Sequence, residues 1–334
     1  MLEKSWRQPR LLHVRRSRRP REWTAIRILQ GKGLTTALVR EKKATMKQHS
    51  VERGSGMAAS GALLLLVLLP GPAAGSEGIV LAPHRAVYEM SLVATRGGSG
   101  VTAVKGRMVY DLTGSACEGY TQNMRFVTQM VNQGGRTIIT DLRSSNWEEG
   151  NGKRFRFNSS QFRDEKQTEV TAGDAARTNA AGEIKVELTK PGKKDLSLSQ
   201  RVYFPIQHSI ALIEAARAGK ATFRADLYDG SEKGEKVYDT VSVIGRKRPP
   251  GNNRELPPVK NAERLDELAA WPISMGYFEP GSDKTDAVPV YELTYLFFEN
   301  GVSRKLFIDY GEFAIRGTLK EILFHPPSKC DAKR

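Results

Sequence analysis

Two cysteines in 334 residues, Cys117 and Cys330, set the first exclusions. No C-x-x-C pair is present, which removes the usual redox dithiol, and two distant sulfurs fall short of the four ligands of a structural zinc site. Histidine is equally sparse: beyond residue 75 there are only His84, His208 and His325, each alone in its local sequence. The stretch "GSACEG" around Cys117 is not the G-x-S-x-G of serine hydrolases, so no nucleophile announces itself. The longest apolar run, Ala62–Leu69, is far below the roughly twenty residues of a membrane-spanning helix. No internal repeat is visible.

What is present begins with charge. The first 45 residues hold thirteen Lys and Arg against three Glu, which accounts for +10 of the formal net charge of +15. Residues 1–45 read as a basic extension, either a disordered arm or the product of a mis-called start codon. No nucleic-acid recognition module follows the arginines, so nucleic acid is not an expected partner. From Met46 a short basic lead, the apolar run and a Pro/Gly/Ala break make the three-part pattern of a secretory signal peptide over residues 46–75. Ala73 and Gly75 stand at the −3 and −1 positions for cleavage between Gly75 and Ser76, and translation from Met46 or Met57 is expected. No Cys follows the run, so lipid attachment of the lipoprotein kind is excluded. The reading is a soluble exported protein, with residues 76–334 as a single mature domain.

Along that domain strand signals dominate. "HRAVYEMSLVAT" alternates apolar and polar residues, "VTAVKGRMVYDLTG" follows the turn "RGGSG", and further strands are punctuated by "NQGG", "EEGNG" and Glu299-Asn300-Gly301. One helix interrupts them in "FPIQHSIALIEAARAGK", where Pro205 stands near the start, Ile206, Ile210, Leu212, Ile213 and Ala216 share a side, and Gly219 sits where a C-terminal cap belongs. Thirteen or fourteen antiparallel strands cannot lie in one flat sheet, so the fold class is mainly β: one large open barrel or spiral with one principal helix as plug or lid. The charged, Pro-rich passage from Arg246 is expected to be an exposed loop.

In the oxidising compartment that an exported protein enters, Cys117 and Cys330 are the only intramolecular pair available. Their bridge would close a loop of about 214 residues, removing roughly 5 kcal/mol of unfolded-state entropy in the chain model.

Several fragments together resemble the EipB-like envelope-integrity proteins of alphaproteobacteria: "APHRAVYEMSL", "DLTGSACEGY", "SSNWEEGNGKRFRF", "YFPIQH", "LYDGSE" and "FENGVSRKLFIDYGEFAIRGTLKEI". The resemblance spans Ile79 to Cys330. It implies a soluble periplasmic protein folded as an open β-barrel or β-spiral, similar to the lipoprotein carriers that bind acyl chains, with a disulfide between Cys117 and Cys330. Its implied role is maintenance of the cell envelope. The basic extension is not part of that pattern, and the family brings no catalytic residues.

The remaining candidates read as structural. His84 is expected to be a hydrogen-bonded residue at a strand start, His208 to orient the start of the helix, and His325 to be a tail residue. Glu148 and Glu149 in "WEEG" sit at a hairpin, where neighbours point to opposite faces and make a poor catalytic pair; that turn and "DGSEKGEK" are both expected to be solvated. Arg246-Lys247-Arg248 could meet anionic head groups. Aromatics, among them Phe155, Phe157, Tyr203, Phe204, Phe223, Trp271, Tyr277, Phe278, Tyr295, Phe297, Phe298 and Phe307, are expected to fill a core or line a cavity. No cofactor, metal or catalytic residue is expected. The expected role is non-enzymatic, through an envelope protein or an apolar envelope molecule; the alternatives are a lipid or lipoprotein carrier and a periplasmic hydrolase with a dispersed site. A monomer is expected.

Replacing Cys117 or Cys330 with Ser should lower the thermal midpoint under oxidising conditions and leave it unchanged under reducing ones. Melting curves that respond equally in both would refute the bridge.

Overall fold

The computed structural model describes residues 78–178, 182–281, 287–326 and 328; the basic extension, the signal peptide with its Gly75–Ser76 cleavage position, and Cys330 lie outside the described residues. Fourteen strands form one antiparallel sheet: β1 His84–Thr95, β2 Val101–Ser115, β3 Gly119–Asn132, β4 Thr137–Glu148, β5 Arg154–Arg163, β6 Lys166–Arg177, β7 Glu183–Lys190, β8 Lys194–Ser199, β9 Thr222–Leu227, β10 Tyr238–Ile244, β11 Ala270–Phe278, β12 Tyr291–Phe298, β13 Ser303–Asp309 and β14 Phe313–Phe324. Helix α1, Pro205–Arg217, lies between β8 and β9 in the chain.

The chain starts in the middle of the sheet and meanders outward to β8. Helix α1 carries it to the opposite edge, β9, and it meanders back until β14 pairs with β1. The edges β8 and β9 do not pair with each other, so the barrel is open. Two features bridge the gap. The linker before α1 adds to the free side of β9, with Tyr203 N–H donating to Asp226 O (2.7 Å) and Tyr228 N–H to Tyr203 O (2.9 Å). The connection Tyr228–Val237 then packs back onto β5–β7, where Phe155, Phe157, Phe204 and Tyr228 form a buried ring cluster with Ile184, Val186 and Leu188. Side chains, rather than a hydrogen-bond ladder, therefore hold the curl.

Alternation explains the strands. In β1, His84, Ala86, Tyr88 and Met90 face inward and Arg85 and Glu89 outward. "YLFF" in β12 is apolar throughout because both faces are covered: Tyr295 and Phe297 join the main core, whereas Leu296 and Phe298 pack against Leu256 and Leu265 outside. The passage from Arg246 is thus more than the exposed loop expected from its charges. Two short 3-10 turns within it, Asn252–Glu255 and Glu263–Glu267, set Leu256 and Leu265 on the outer face of the sheet. Arg248 N–H pairs with Ala270 O (2.7 Å), and Lys247 Nζ lies 5.8 Å from the Trp271 ring. The backbone pairing fixes the end of this basic run on the sheet.

"DGSEKGEK" is a second correction. Glu232, Lys233 and Glu235 are exposed as a solvated turn would have them, but the segment is also the packed connection after β9, with Tyr228, Gly230 and Gly234 buried and the Tyr228 hydroxyl donating to Gly234 O (2.7 Å). Gly230 has φ +75°, and a Cβ there would lie 2.4 Å from Phe157. Gly219, at φ +71°, ends α1 with nothing near its missing Cβ; Gly219 N–H meets Ala216 O and Lys220 N–H meets Ala215 O, the bonds of a Schellman cap. Among the described residues no helix is long and apolar enough to cross a membrane.

Gly230→Ala should therefore cost about 2–4 kcal/mol, combining overpacking with left-handed strain, and Gly219→Ala only about 1 kcal/mol. Denaturant unfolding of both variants checks this; equal losses would mean that the Gly230 connection is not packed against Phe157.

Candidate functional site

Helix α1 opens with no cap of its own. Phe204 at the N-cap offers no side-chain oxygen, and Pro205 has no N–H to satisfy. The next two donors, Ile206 N–H and Gln207 N–H, go to the two carboxyl oxygens of Glu148 at 2.7 and 3.0 Å, and His208 N–H begins the helical ladder on Phe204 O. Glu148, expected at a solvated turn, is only 1% exposed. The Gln207 side chain donates to Gly150 O (2.9 Å), so the β4–β5 turn and the helix start are one unit. Arg177 ties in the linker: its guanidinium donates to the carbonyls of Gly152, Gln200 and Val202 and lies 5.1 Å from the Phe204 ring. At the far end of α1, Arg217 reaches Glu299 just beyond β12, at 3.4 Å. Because alternate strands run in opposite directions, the end of β4 and the end of β12 lie at one end of the sheet, and α1 is held there.

The curled sheet encloses a cavity of about 670 Å³. Pro205, His208 and Ser209 of α1 contribute to its wall. One side, on β11–β13, is apolar and aromatic, with Met275, Tyr277, Tyr295, Leu293, Leu306 and Ile308. The facing side, on β3–β5, mixes apolar with uncharged polar groups: Met124 and Phe126 beside Gln122, Asn146, Ser159 and Gln161. The wall follows β13 from Ser303 to Tyr310, roughly 23 Å at strand rise. That exceeds the ~15 Å spanned by the chains of one bilayer leaflet.

A row of tyrosines crosses the strand ends opposite α1. Tyr238 begins β10, Tyr277 lies near the end of β11, Tyr291 begins β12 and Tyr310 follows β13. Tyr277 and Tyr291 stack at 4.2 Å, Tyr238 meets Tyr277 edge-on at 5.6 Å, and Tyr310 lies 6.3 Å from Tyr291. Tyr310 is 38% exposed, so the cavity meets solvent here. Burial raises the phenol pKa values of Tyr277 and Tyr291, and the Asp229 charge adds to both shifts.

The three histidines take structural contacts. His84 Nδ1 is 2.7 Å from Ala82 O at the start of β1, and burial lowers its pKa. His208 Nε2 donates to Thr240 Oγ1 at 3.1 Å, a direction fixed because the Thr240 hydroxyl itself donates to Ala225 O. Burial takes the His208 pKa down to about 4. His325 is more than a tail residue: its Nε2 lies 2.9 Å from Asp111 Oδ1, docking the chain beyond β14 against the end of β2. Among the described residues no three metal-ligating side chains converge.

Of the aromatics singled out in the sequence, Phe157, Tyr277, Tyr295 and Phe297 line the cavity, Phe155 and Phe204 build the curl, and Trp271 belongs to the main core. Tyr88, Tyr110, Tyr238, Tyr291, Tyr310 and Asp229 also line the cavity without having been singled out. Their only sequence signal is strand alternation, which does not say which face is inside.

A single antiparallel sheet curled on itself, carrying a helix at one end and enclosing an aromatic space, defines an open-barrel protein of the β-spiral kind. Within that class the chain belongs to the EipB-like family, whose sequence profile matches residues 76–326. It is 33% identical over 273 residues to the cell envelope integrity protein EipB of Brucella abortus (strain 2308), covering 81% of this chain and 95% of that protein. The crystal structure of a β-barrel-like protein of unknown function from Brucella abortus superposes with a TM-score of 0.66 at 33% identity, covering 74% of this chain and 99% of that one.

Stability should carry the mark of Glu148. Burial lifts its pKa from 4.5 to about 8, against the pull of two N–H donors and the Arg177 charge. The native state then keeps a proton that the unfolded chain releases, so stability falls as pH rises through this range. His208, lowered from 6.5 to about 4, acts oppositely and only below its unfolded pKa. Between pH 6.5 and 8 Glu148 acts alone, with an expected loss of up to about 2 kcal/mol that disappears in Glu148→Gln. Chemical denaturation across that window tests it; the same slope in both proteins would refute the assignment.

Proposed function

We propose that the chain is a non-enzymatic periplasmic protein that maintains cell-envelope integrity by holding an apolar envelope molecule inside its curled sheet. The observation that carries this reading is the cavity of about 670 Å³ with an aromatic wall along β11–β13. An apolar occupant would replace water against Leu293, Leu306 and Ile308, with favourable transfer of about 25 cal/mol per Å² of apolar surface. Methionines 108, 124 and 275 give the wall soft, adaptable contacts. The family relationship to an envelope integrity protein supports the same role. A lipid or lipoprotein carrier is the narrower form of this reading.

Export is part of the proposal. Residues 46–75 are the cleaved signal peptide, residues 76–334 the mature periplasmic domain, and residues 1–45 an extension outside it. The Cys117–Cys330 disulfide belongs to it as well. The His325–Asp111 contact places the chain after β14 beside the end of β2, four residues before the turn that starts after Ser115 and holds Cys117. Four residues then separate His325 from Cys330.

Native mass spectrometry of protein from its own envelope fraction tests the whole. A mature chain starting near Ser76, two hydrogens light and carrying a lipid-sized extra mass, is the expected result. A bare mature chain would shift the role to protein partners. A full-length reduced chain would overturn the export reading.

A further inference from the structure

The chain carries 52 Lys and Arg against 37 Asp and Glu, yet among the described residues that line the cavity there is no Lys or Arg. The charged lining groups are Glu169, Asp229 and Glu232, all acidic. The two lining histidines, His84 and His208, stay neutral near pH 7 because burial lowers both. All three carboxyl groups lie towards one end of the sheet. Glu169 is near the start of β6, and Asp229 and Glu232 lie in the connection from the end of β9 to the start of β10. That is the end opposite α1, where the tyrosine row and the exposed Tyr310 stand.

The rings there suit a cation. Tyr277 and Tyr291 present stacked faces, and Tyr238 stands across them at 82° and 75°. One ammonium is already seated on this group: Lys236 Nζ lies 4.6 Å from the Tyr238 ring centroid, within cation–π range, and donates to Glu279 Oε1 at 2.7 Å. Asp229 acts on the same rings, its charge contributing to the raised pKa values of Tyr238, Tyr277 and Tyr291 after burial. Its Oδ1 accepts from Ser231 N–H at 2.9 Å, which fixes its orientation. Lys233, in the same connection, is exposed and not part of the lining.

We infer that the cavity selects an amphiphile with a positively charged head, its apolar tail lying along β11–β13 towards α1 and its ammonium group among Asp229, Glu232 and the tyrosines at the open end. This rests on the apolar-occupant reading and adds the sign of the head group. An anionic head would meet three carboxylates with no Lys or Arg among the lining residues to offset them, and the neighbouring Lys236 ammonium is already paired with Glu279; this like-charge arrangement disfavours binding.

The test uses the mature protein loaded with the neutral apolar dye N-phenyl-1-naphthylamine, displaced by single-chain surfactants below their micellar concentrations. Dodecyltrimethylammonium should displace the dye at least about tenfold more tightly than dodecyl sulfate, with neutral dodecyl maltoside between them. In Asp229→Asn/Glu232→Gln the ammonium advantage over maltoside should be lost while maltoside affinity stays within about twofold. Asn and Gln keep the acceptor oxygens, so the Ser231 turn remains. Equal binding of ammonium and sulfate surfactants by the wild-type protein would overturn the charge assignment and leave the apolar reading standing. An ammonium preference unchanged in the double variant would overturn the placement of the head group. Failure of the dye and of every surfactant to bind would overturn both readings together.

Discussion

The carboxyl group of Glu148, buried against the N-terminus of α1, is the joint on which the rest of the molecule depends. Helix α1 is the segment that takes the chain from edge β8 to edge β9, so whatever fixes α1 also fixes how far the sheet curls. A helix starting with Phe-Pro carries no side-chain cap, and its first free N–H groups would otherwise be buried without partners at a cost of about 1–3 kcal/mol each. A single acid from the end of β4 takes both donors. Arg177 adds a second tie from the end of β6 to the linker ahead of the helix. The price is a carboxyl group removed from water, visible in its pKa of about 8.

Leaving the sheet open has a consequence for the interior. A barrel closed by its ladder fixes its radius through strand number and stagger, whereas here the gap is spanned by packing of Phe155, Phe157, Phe204 and Tyr228. With α1 held at one end and the centre lined rather than filled, a space remains whose two sides differ: aromatic and aliphatic on β11–β13, apolar mixed with uncharged polar on β3–β5. That asymmetry, together with carboxyl groups gathered at the open end, gives the cavity a direction.

Much of the fold was legible before any coordinates. The period-two pattern of "HRAVYEMSLVAT" marks β1 without error, Pro205 and Gly219 bracket α1 as a start and a cap, and the antiparallel strands with one helix imply an open, curled sheet because a flat one cannot bury both ends. These are local signals, set by dihedral preferences and by the alternation of neighbouring side chains.

Glu148 and the tyrosine row were not legible, for a physical reason. "WEEG" reads as a solvated hairpin because two adjacent acids in a turn normally face water; only the arrival of the α1 N-terminus, 58 residues later in the chain, makes burial of one of them favourable. "DGSEKGEK" likewise has turn composition, and although Glu232, Lys233 and Glu235 stay exposed, Gly230 and Gly234 are buried, with Gly230 lying on Phe157. Tyr238, Tyr277 and Tyr291 come from three strands and Tyr310 from the turn after a fourth, and they meet only through register and curl. The sequence alone determined which segments are strands, where the helix starts and stops, and that the chain makes a curled sheet. Tertiary structure decided which face of each strand is inside, because alternation is symmetric between faces and only the sense of the curl breaks that symmetry.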